Sequence, residues 1–298
     1  AMIRSSACRQ WRADQSGPCR RARRPVPSAT PPSGHDPRSP VMSRERFLRR
    51  STSVLTRARR LGRNILRWLE GDSRSQQLSD EVLFWRHWFS TQGSFWPEDY
   101  KERLDPNLPI QDHVGRYVDR LTTNPVCILD VGAGPLTKLG KVHASKEIMI
   151  TATDLLASEY DQVLRDFGIQ PLVRTVFGDA ENLRTQFGDY SFDIVHGQNC
   201  IDHTTSPLKA IQQMLSVTKH DGFVVLYHAE NEGKTESYKQ LHKWDFTCEK
   251  GHFVIRGPGP GGDAVDANNA LAVLGSVECS LDDGAVLVAI RKHPQRRQ

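Results

Sequence analysis

The chain has 298 residues, enough for one large domain with extensions. Its hydrophobic fraction of 38% is low for a single globule, and it has no apolar run of the ~18 residues that cross a bilayer. The net charge of +5 is unevenly spread, because residues 1–70 carry 17 arginines and four acidic residues (+13), which leaves −8 on the remainder. This acidic remainder excludes a nucleic-acid-binding surface there.

The first 41 residues form a tail rich in arginine, proline and serine without apolar periodicity, a composition typical of disorder. It lacks the apolar core of a secretory signal. Met42 could serve as the natural start, with the preceding residues read from upstream sequence. The six cysteines show neither Cys-x-x-Cys nor zinc spacing, which favours a cytoplasmic protein with reduced thiols.

Residues 42–109 are predicted to form N-terminal helices. In the basic segment 43–70, Phe47, Val54, Leu61 and Trp68 repeat every seven residues among arginines, the pattern of an amphipathic helix. Such a helix either binds a membrane surface or a partner, or packs on its own domain or on the second subunit of a homodimer.

Residues 71–109 are predicted to form a helical cap, because aromatic residues recur there at helical spacing. Most of these rings are expected to pack in the core or in a lid. Arg103 has two interpretations: its guanidinium binds a ligand carboxylate, or it forms a surface ion pair with Glu98 or Glu102.

A short apolar run ends in an acidic residue and a glycine-rich turn at residues 127–137, Cys-Ile-Leu-Asp-Val-Gly-Ala-Gly-Pro-Leu-Thr. Gly132 and Gly134 supply a sharp turn that a nucleotide-like ligand can approach closely. Asp154 follows Gly134 by 20 residues, a distance typical of an acid that receives ribose hydroxyls. Pro135 and the missing third glycine exclude the dinucleotide fingerprint.

This acid-x-Gly-x-Gly pattern resembles motif I of the class I S-adenosylmethionine-dependent methyltransferases. The resemblance covers roughly residues 110–292 and continues in the family's order. Phe177–Ala180 resembles the third strand end, Phe192–Asn199 the fourth strand, and Val277–Ile290 an antiparallel hairpin around an Asp-Gly turn. It implies an α/β fold: a Rossmann-like sheet closed by a C-terminal hairpin, with S-adenosylmethionine as cofactor.

The resemblance assigns the cofactor site to the carboxyl edge of that sheet. Arg103, on the cap, would bind the methionine carboxylate. The residues expected to bind the cofactor are Asp130, Gly132, Gly134, Asp154, Asp179, Ala180, Gln198 and Arg103.

The domain at residues 110–298 is expected to contain an insertion at residues 245–263. Residues 245–249 and 252–256 predict two short strands, and a flexible glycine- and proline-rich turn follows them. A helix is predicted over 268–274. We expect the insertion to form a lid or a dimer contact.

Histidines and carboxylates cluster after the fourth and fifth strands. The expected catalytic residues are His203, His228, His242 and Glu232, with a histidine acting as general base for a hydroxyl acceptor. Each histidine has a structural alternative as a hydrogen-bonded core residue. Asp202 with these histidines could also hold a divalent ion such as Mg²⁺, which would polarise a sugar diol.

A further resemblance indicates which molecule accepts the methyl group. Asn-x-x-Asp-His at 199–203, His-x-x-Asn-Glu-Gly at 228–233 and Leu-His-x-Trp-x-Phe at 241–246 resemble a bacterial subfamily linked with glycan methylation, typified by 1-O-methylation of mycobacterial methylmannose oligosaccharides. This implies methyl transfer to a hydroxyl of an oligosaccharide. A small-molecule or lipid O- or N-methyltransferase and a catalytically inert cofactor-binding scaffold are the alternatives.

Overall fold

The computed structural model describes residues 74–93 and 95–294. These residues belong to one unit that begins at Ser73. The predictions for the tail and for the amphipathic helix at 43–70 lie outside the described residues. The division at residue 110 falls between the second and third described helices and stays a prediction.

Ten strands build two sheets in the described part of the chain. They are β1 (Val126–Val131), β2 (Ile148–Asp154), β3 (Thr175–Phe177), β4 (Phe192–Gln198), β5 (Thr218–Ala229), β6 (Asp245–Glu249), β7 (His252–Arg256), β8 (Ala264–Asp266), β9 (Gly275–Asp282) and β10 (Ala285–Lys292). The larger sheet has the order β3-β2-β1-β4-β5-β10-β9, and β6, β7 and β8 form the smaller one.

Eight α-helices accompany the sheets in the described residues. They are α1 (Arg74–Ser90), α2 (Pro97–Leu104), α3 (Asp112–Arg120), α4 (Ala157–Asp166), α5 (Leu183–Phe187), α6 (Pro207–Val217), α7 (Glu232–Thr235) and α8 (Ala267–Leu271), with a 3₁₀ turn at Ile201–His203. Among the described residues, none of these helices has the length and apolar character needed to cross a membrane.

The larger sheet has the expected mixed topology. Strands β1 to β5 run parallel, whereas β10 pairs antiparallel with both β5 and β9. β1 is buried along its whole length, as a strand is when both faces of a parallel sheet are covered. The predicted Rossmann-like methyltransferase sheet with an antiparallel C-terminal hairpin is confirmed.

Two apolar clusters hold the helices in place. In the first, Val114 and Tyr117 of α3 pack on Ile128, Ile194 and other residues of the sheet. In the second, three aromatic residues of α1 pack against α4 and the loop after β1: Trp85, Trp88 and Phe89. These three aromatic residues of the predicted cap are therefore packing residues that fix α1 beside the loop after β1, whereas Phe84, Phe95 and Trp96 are exposed.

The insertion contains the two predicted strands with the predicted bounds, β6 and β7. A third strand, β8, was not predicted, and the helix expected over 268–274 is the shorter α8. β5 contains an irregularity in its pairing with β4. Pairing with β4 skips from Thr218 to Phe223, and Asp221 has φ of 61°.

Lys292, at the end of β10, ties the hairpin to the C-terminus of α6. Its ammonium group donates hydrogen bonds to the carbonyls of Leu215 (2.6 Å), Thr218 (2.7 Å) and Ser216 (3.3 Å). The last turn of α6 has no basic residue of its own. Lys292 therefore satisfies carbonyl groups that the helix leaves without partners.

We expect Lys292→Met to lower the free energy of unfolding by about 1–3 kcal/mol, because carbonyls are left unsatisfied. Arg291→Met is the matched control, since its ion pair with Asp221 (3.0 Å) is half exposed and worth less than about 1 kcal/mol. Urea denaturation measures both variants. Equal losses in the two would contradict the capping role.

Candidate functional site

The carboxyl ends of β1, β2 and β4 meet at one edge of the larger sheet, since these strands run parallel. β5 runs parallel to β4 and ends at the same edge. Loops that follow such strands are the usual ligand-binding positions in open α/β sheets.

The glycine loop follows β1 at this edge. Gly132 and Gly134 have φ of 65° and 64°, in the left-handed region that favours glycine. A Cβ on Gly132 would lie 2.4 Å from Cβ of Cys200, and one on Gly134 would lie 2.8 Å from the ring of Trp85. Both positions therefore require glycine, because the backbone conformation is left-handed and neighbouring side chains leave no room for a Cβ.

Asp154 ends β2 beside this loop. Its carboxylate accepts hydrogen bonds from the backbone N–H groups of Gly134 (3.1 Å) and Leu156 (2.9 Å). Burial raises the pKa of Asp154 to about 6, although these two hydrogen bonds lower it. The side chain is thus fixed against the glycine loop, where the sequence places a ribose-binding acid.

Asp130 is almost fully buried, with 4% of its surface exposed. Its carboxylate accepts a hydrogen bond from Thr137 Oγ1 (2.5 Å) and pairs with Nδ1 of His196 (2.7 Å). These two bonds indicate that Asp130 positions the end of β4 and the loop after β1, while its contact with a cofactor stays a prediction. The partner of His196 is therefore this carboxylate and not a backbone group.

Arg103 also bonds within the protein, and the predicted pair with Glu98 or Glu102 is wrong. Its guanidinium pairs with Asp99 (2.9 Å) and donates to the Leu136 carbonyl (2.5 Å). It lies 5.2 Å from the ring centroid of Trp85. Arg103 therefore joins α2 to α1 and to the loop after β1, and its predicted role at a carboxylate is untested.

The remaining expected cofactor residues follow β3 and β4. Asp179 accepts a hydrogen bond from the backbone N–H of Glu181 (2.9 Å), and Ala180 lies between them. Gln198 is the last residue of β4 and is half-buried. All three lie at the carboxyl ends of strands, as expected, while their contacts with a cofactor stay predictions.

Two histidines of the catalytic prediction and Asp202, the predicted metal ligand, form a triangle at the ends of β4 and β5. His203 Nε2 lies 3.1 Å from His242 Nδ1, and that nitrogen lies 3.2 Å from an Asp202 carboxylate oxygen. The same oxygen lies 3.5 Å from His203 Nε2. The 3₁₀ turn supplies Asp202 and His203, and the segment before β6 supplies His242. We call these three residues the Asp-His-His cluster.

Glu232 and His228 both lie beside the Asp-His-His cluster, but they differ in how far they are buried. The side chains of His203, His242 and Glu232 are each 21% exposed, so they face an accessible surface. His228 is only 1% exposed, and its Nδ1 lies 3.5 Å from Asp202. His228 is thus behind the cluster and supports Asp202, whereas the sequence predicted a direct catalytic role for it.

The charges of the Asp-His-His cluster reinforce one another. Burial raises the pKa of Asp202, but the neighbouring histidines outweigh this effect and hold the pKa well below its usual range. These histidines are His203, His228 and His242. Burial lowers the pKa of His242, but the hydrogen bond and charge of Asp202 outweigh this and raise it. Burial and Asp202 raise the pKa of Glu232 to about 7. The cluster thus combines an ionised carboxylate with groups that can exchange protons.

Glu81 of α1 also belongs to this edge, and sequence reasoning missed it. It accepts a hydrogen bond from Trp85 Nε1 (2.9 Å). Burial raises its pKa; the charge of His203 lowers it and the charge of Asp154 raises it. Glu81 is thus sensitive to charges in both the glycine-loop half and the histidine half of the edge. No sequence signal marks it, because it lies in an aromatic helix without a motif.

Trp244 connects the insertion to the histidine half of the edge. Its indole N–H donates to the Thr204 carbonyl (3.0 Å), and its ring lies against Gly257. The side chain is half-buried. At this position the ring could either pack within the protein or stack on a sugar.

Residues 129–226, which include the glycine loop and the carboxyl ends of β1, β2 and β4, match the family model described as a methyltransferase domain. The match supports a class I S-adenosylmethionine-dependent methyltransferase. The methyltransferase segment thus carries the first half of the candidate site, whereas α1, Glu232 and His242 lie outside it. No curated protein is similar enough in sequence to this chain to count as a relative.

Several solved methyltransferase structures are similar to this chain at low identity. The CurJ carbon methyltransferase is 15% identical, with 60% of this chain and 52% of that one covered and a TM-score of 0.44. A putative S-adenosylmethionine-dependent methyltransferase from Methanococcus maripaludis is 12% identical, with coverages of 76% and 96% and a TM-score of 0.43. The chain spans about half the length of the CurJ structure.

The glycine loop yields a prediction with a matched control. Gly132 and Gly168 have nearly equal φ, 65° and 66°, but a Cβ meets Cys200 only at Gly132 and nothing within 4 Å at Gly168. Gly168→Ala should cost about 1 kcal/mol of unfolding free energy, from backbone strain alone. Gly132→Ala should cost about 2–4 kcal/mol, because overlap adds to strain. Equal costs by urea denaturation would refute the close approach.

Asp154 yields a pH prediction. Its carboxyl group, with a pKa of about 6, is ionised above that pH and neutral below it. An ionised carboxylate accepts hydroxyl hydrogen bonds more strongly. Affinity for S-adenosylhomocysteine should therefore fall several-fold from pH 7 to pH 5, measured by calorimetry. Asp154→Asn should bind weakly with a flat profile, and a flat profile in the wild type would contradict the assignment.

Proposed function

We propose that this protein transfers a methyl group from S-adenosylmethionine to a hydroxyl group of a sugar or oligosaccharide. The observation that carries the proposal is the Asp-His-His cluster at the carboxyl ends of β4 and β5. Cys200, which directly precedes the turn that carries Asp202 and His203, donates from its thiol to the Val131 carbonyl (3.1 Å), and this contact holds the cluster close to the glycine loop.

The residues at the edge fit the cofactor. Gly132 and Gly134 leave bare backbone where a Cβ would collide with neighbouring side chains. Asp154 holds its carboxylate beside them through two backbone N–H groups. When bound, S-adenosylmethionine supplies an electrophilic methyl group on a positively charged sulfur.

The cluster suits activation of a hydroxyl. Ionised Asp202 accepts the Nδ1–H of His242 (3.2 Å). Because His242 carries that proton, Nε2 of His203, which lies 3.1 Å from His242 Nδ1, is unprotonated and can act as a base. That nitrogen accepts the acceptor's proton as its oxygen forms a bond to the methyl carbon and the carbon–sulfur electron pair passes to sulfur. Asp202, 3.5 Å away, stabilises the resulting imidazolium.

A sugar acceptor is supported by the polar surface and by the subfamily resemblance. His203, His242 and Glu232 are partly exposed and can hydrogen-bond to several hydroxyls. Trp244 lies beside them, tied to Thr204, and an aromatic ring offers a face for a pyranose. The motifs at 199–203, 228–233 and 241–246 that resemble glycan methyltransferases supply these side chains.

The test is transfer of labelled methyl from S-adenosylmethionine to short mannosides, both unmethylated and 3-O-methylated. His203→Ala should lower kcat by about 10²–10⁴-fold while cofactor affinity stays within a few-fold, because it removes the base alone. His252→Ala is the control, since that histidine pairs with Asp266 on an exposed hairpin. It should retain full activity.

Two results would count against the proposal. Measurable cofactor binding without transfer to any mannoside would overturn the sugar acceptor and direct the search to lipids and small molecules. Loss of cofactor affinity in His203→Ala would instead place this histidine in the cofactor site.

A further inference from the structure

The Asp-His-His cluster has the dimensions of a metal site. It is the one group in residues 74–93 and 95–294 where at least three His, Cys, Asp or Glu side chains bring ligand atoms within 4.8 Å of one another. Its three ligand atoms, from Asp202, His203 and His242, are separated by 3.1, 3.2 and 3.5 Å.

These separations match those of neighbouring ligands on a single ion. Metal–nitrogen and metal–oxygen bonds of about 2.0–2.2 Å, at the angles of octahedral or tetrahedral coordination, place adjacent ligand atoms about 3.0–3.5 Å apart. Without an ion, His203 Nε2 and His242 Nδ1 face each other and can share only one proton between them. An ion would engage both lone pairs at once.

A buried oxygen atom without a partner provides a second, independent observation. Oε2 of Glu232 is buried and has no hydrogen-bond partner among the described residues, while its Oε1 lies 3.7 Å from His242. Oδ1 of Asp202 also makes no hydrogen bond, but it faces His228 at 3.5 Å, on the side away from the cluster. A cation at the cluster would satisfy the Glu232 oxygen.

We infer that Asp202, His203 and His242 bind one divalent transition-metal ion, with Glu232 as an additional oxygen donor. The donor set selects the class of ion. Imidazole suits zinc, copper, iron and nickel, whereas Mg²⁺ prefers an octahedron of oxygens. Two imidazoles in a set of three ligands therefore argue against the Mg²⁺ that the sequence alone suggested.

The surrounding residues hold the ligands in orientation. His228 is fully buried with its Nδ1 3.5 Å from Asp202 Oδ1, so it supports the carboxylate from behind. Trp244 donates to the carbonyl of Thr204, the residue after His203, and thereby joins the segment that carries His242 to the 3₁₀ turn. Such outer contacts fix ligand orientation in protein metal sites.

The role of the ion in catalysis rests on the proposed function, whereas its binding does not. With the ion bound, His203 would serve as a ligand instead of as the base of the ion-free scheme. The ion would hold the acceptor oxygen and acidify its hydroxyl group, and the proton would pass to water at the accessible side of the cluster as the oxygen bonds to the methyl carbon and the carbon–sulfur electron pair passes to sulfur. Sugar diols offer two adjacent oxygens to such an ion.

The test uses the full chain, stripped with chelator and titrated with Co²⁺, whose visible absorption reports coordination. Equilibrium dialysis gives the stoichiometry, and competition with Zn²⁺ and Mg²⁺ gives the preference. We expect one equivalent bound, displaced by Zn²⁺ at concentrations at least 100-fold below those of Mg²⁺. Asp202→Asn and His242→Ala should each weaken Co²⁺ binding at least 10-fold, and His252→Ala should leave it unchanged.

Several controls keep the outcome decisive. Zn²⁺ should raise the melting temperature of the wild type but not of the cluster variants, since an ion that binds only the folded state stabilises it. If Asp202→Asn fails to fold, His203→Gln and His242→Gln replace it. Cys8, Cys19 and His35 remain in every variant, so binding by them would persist.

Three results would overturn the inference: no stoichiometric binding, binding retained within threefold in both cluster variants, or displacement of Co²⁺ by Mg²⁺ as readily as by Zn²⁺. The methyl-transfer assay separates this failure from that of the proposed function. Ion binding without transfer would overturn the acceptor assignment only, and undiminished transfer by ion-free protein would overturn the catalytic role of the ion but not its binding.

Discussion

The candidate site depends on a carboxylate that is buried at the edge of a parallel sheet. Burying an ionised Asp202 would be strongly unfavourable without partners, and histidines on three sides supply them. These histidines come from the 3₁₀ turn, from β5 and from the segment before β6. The need to compensate one charge therefore brings together parts of the chain that are some 40 residues apart, and it sets the distances on which the site's chemistry depends.

The sequence is sufficient to predict most of the fold in the described residues. Glycines after β1, acids at strand ends and an Asp-Gly turn identify the sheet, and the strands β6 and β7 have their predicted bounds. The missed strand β8 is three residues long and follows a run of glycines, so its pairing with β7 is set by tertiary contact rather than by local preference. The irregularity in β5 could not be placed from the sequence, because the residues that interrupt the pairing with β4 lie inside the strand.

The site was predictable as a set of residues at one edge but not as an arrangement. The spacing of motifs brings His203, His242 and Glu232 to the ends of strands, yet burial of His228 depends on the insertion that covers it, where Phe246 packs edge-on at 5.0 Å. Arg103 pairs with Asp99, one helical turn away, although other acidic residues are close to it in sequence. The geometry of the helix determines which of them is the partner. Contacts between distant helices and loops leave no periodic signal in a single sequence.

The close approach of Gly132 and Cys200 links two loops in the evolution of this chain. A Cβ at position 132 would lie 2.4 Å from the Cβ at position 200, so the two positions cannot both carry a side chain without separation of the loops. Cys200 also donates from its sulfur to the Val131 carbonyl (3.1 Å), which holds the loops at this distance. A side chain at position 132 thus becomes acceptable only with glycine at position 200, and drift at either site is limited by the other.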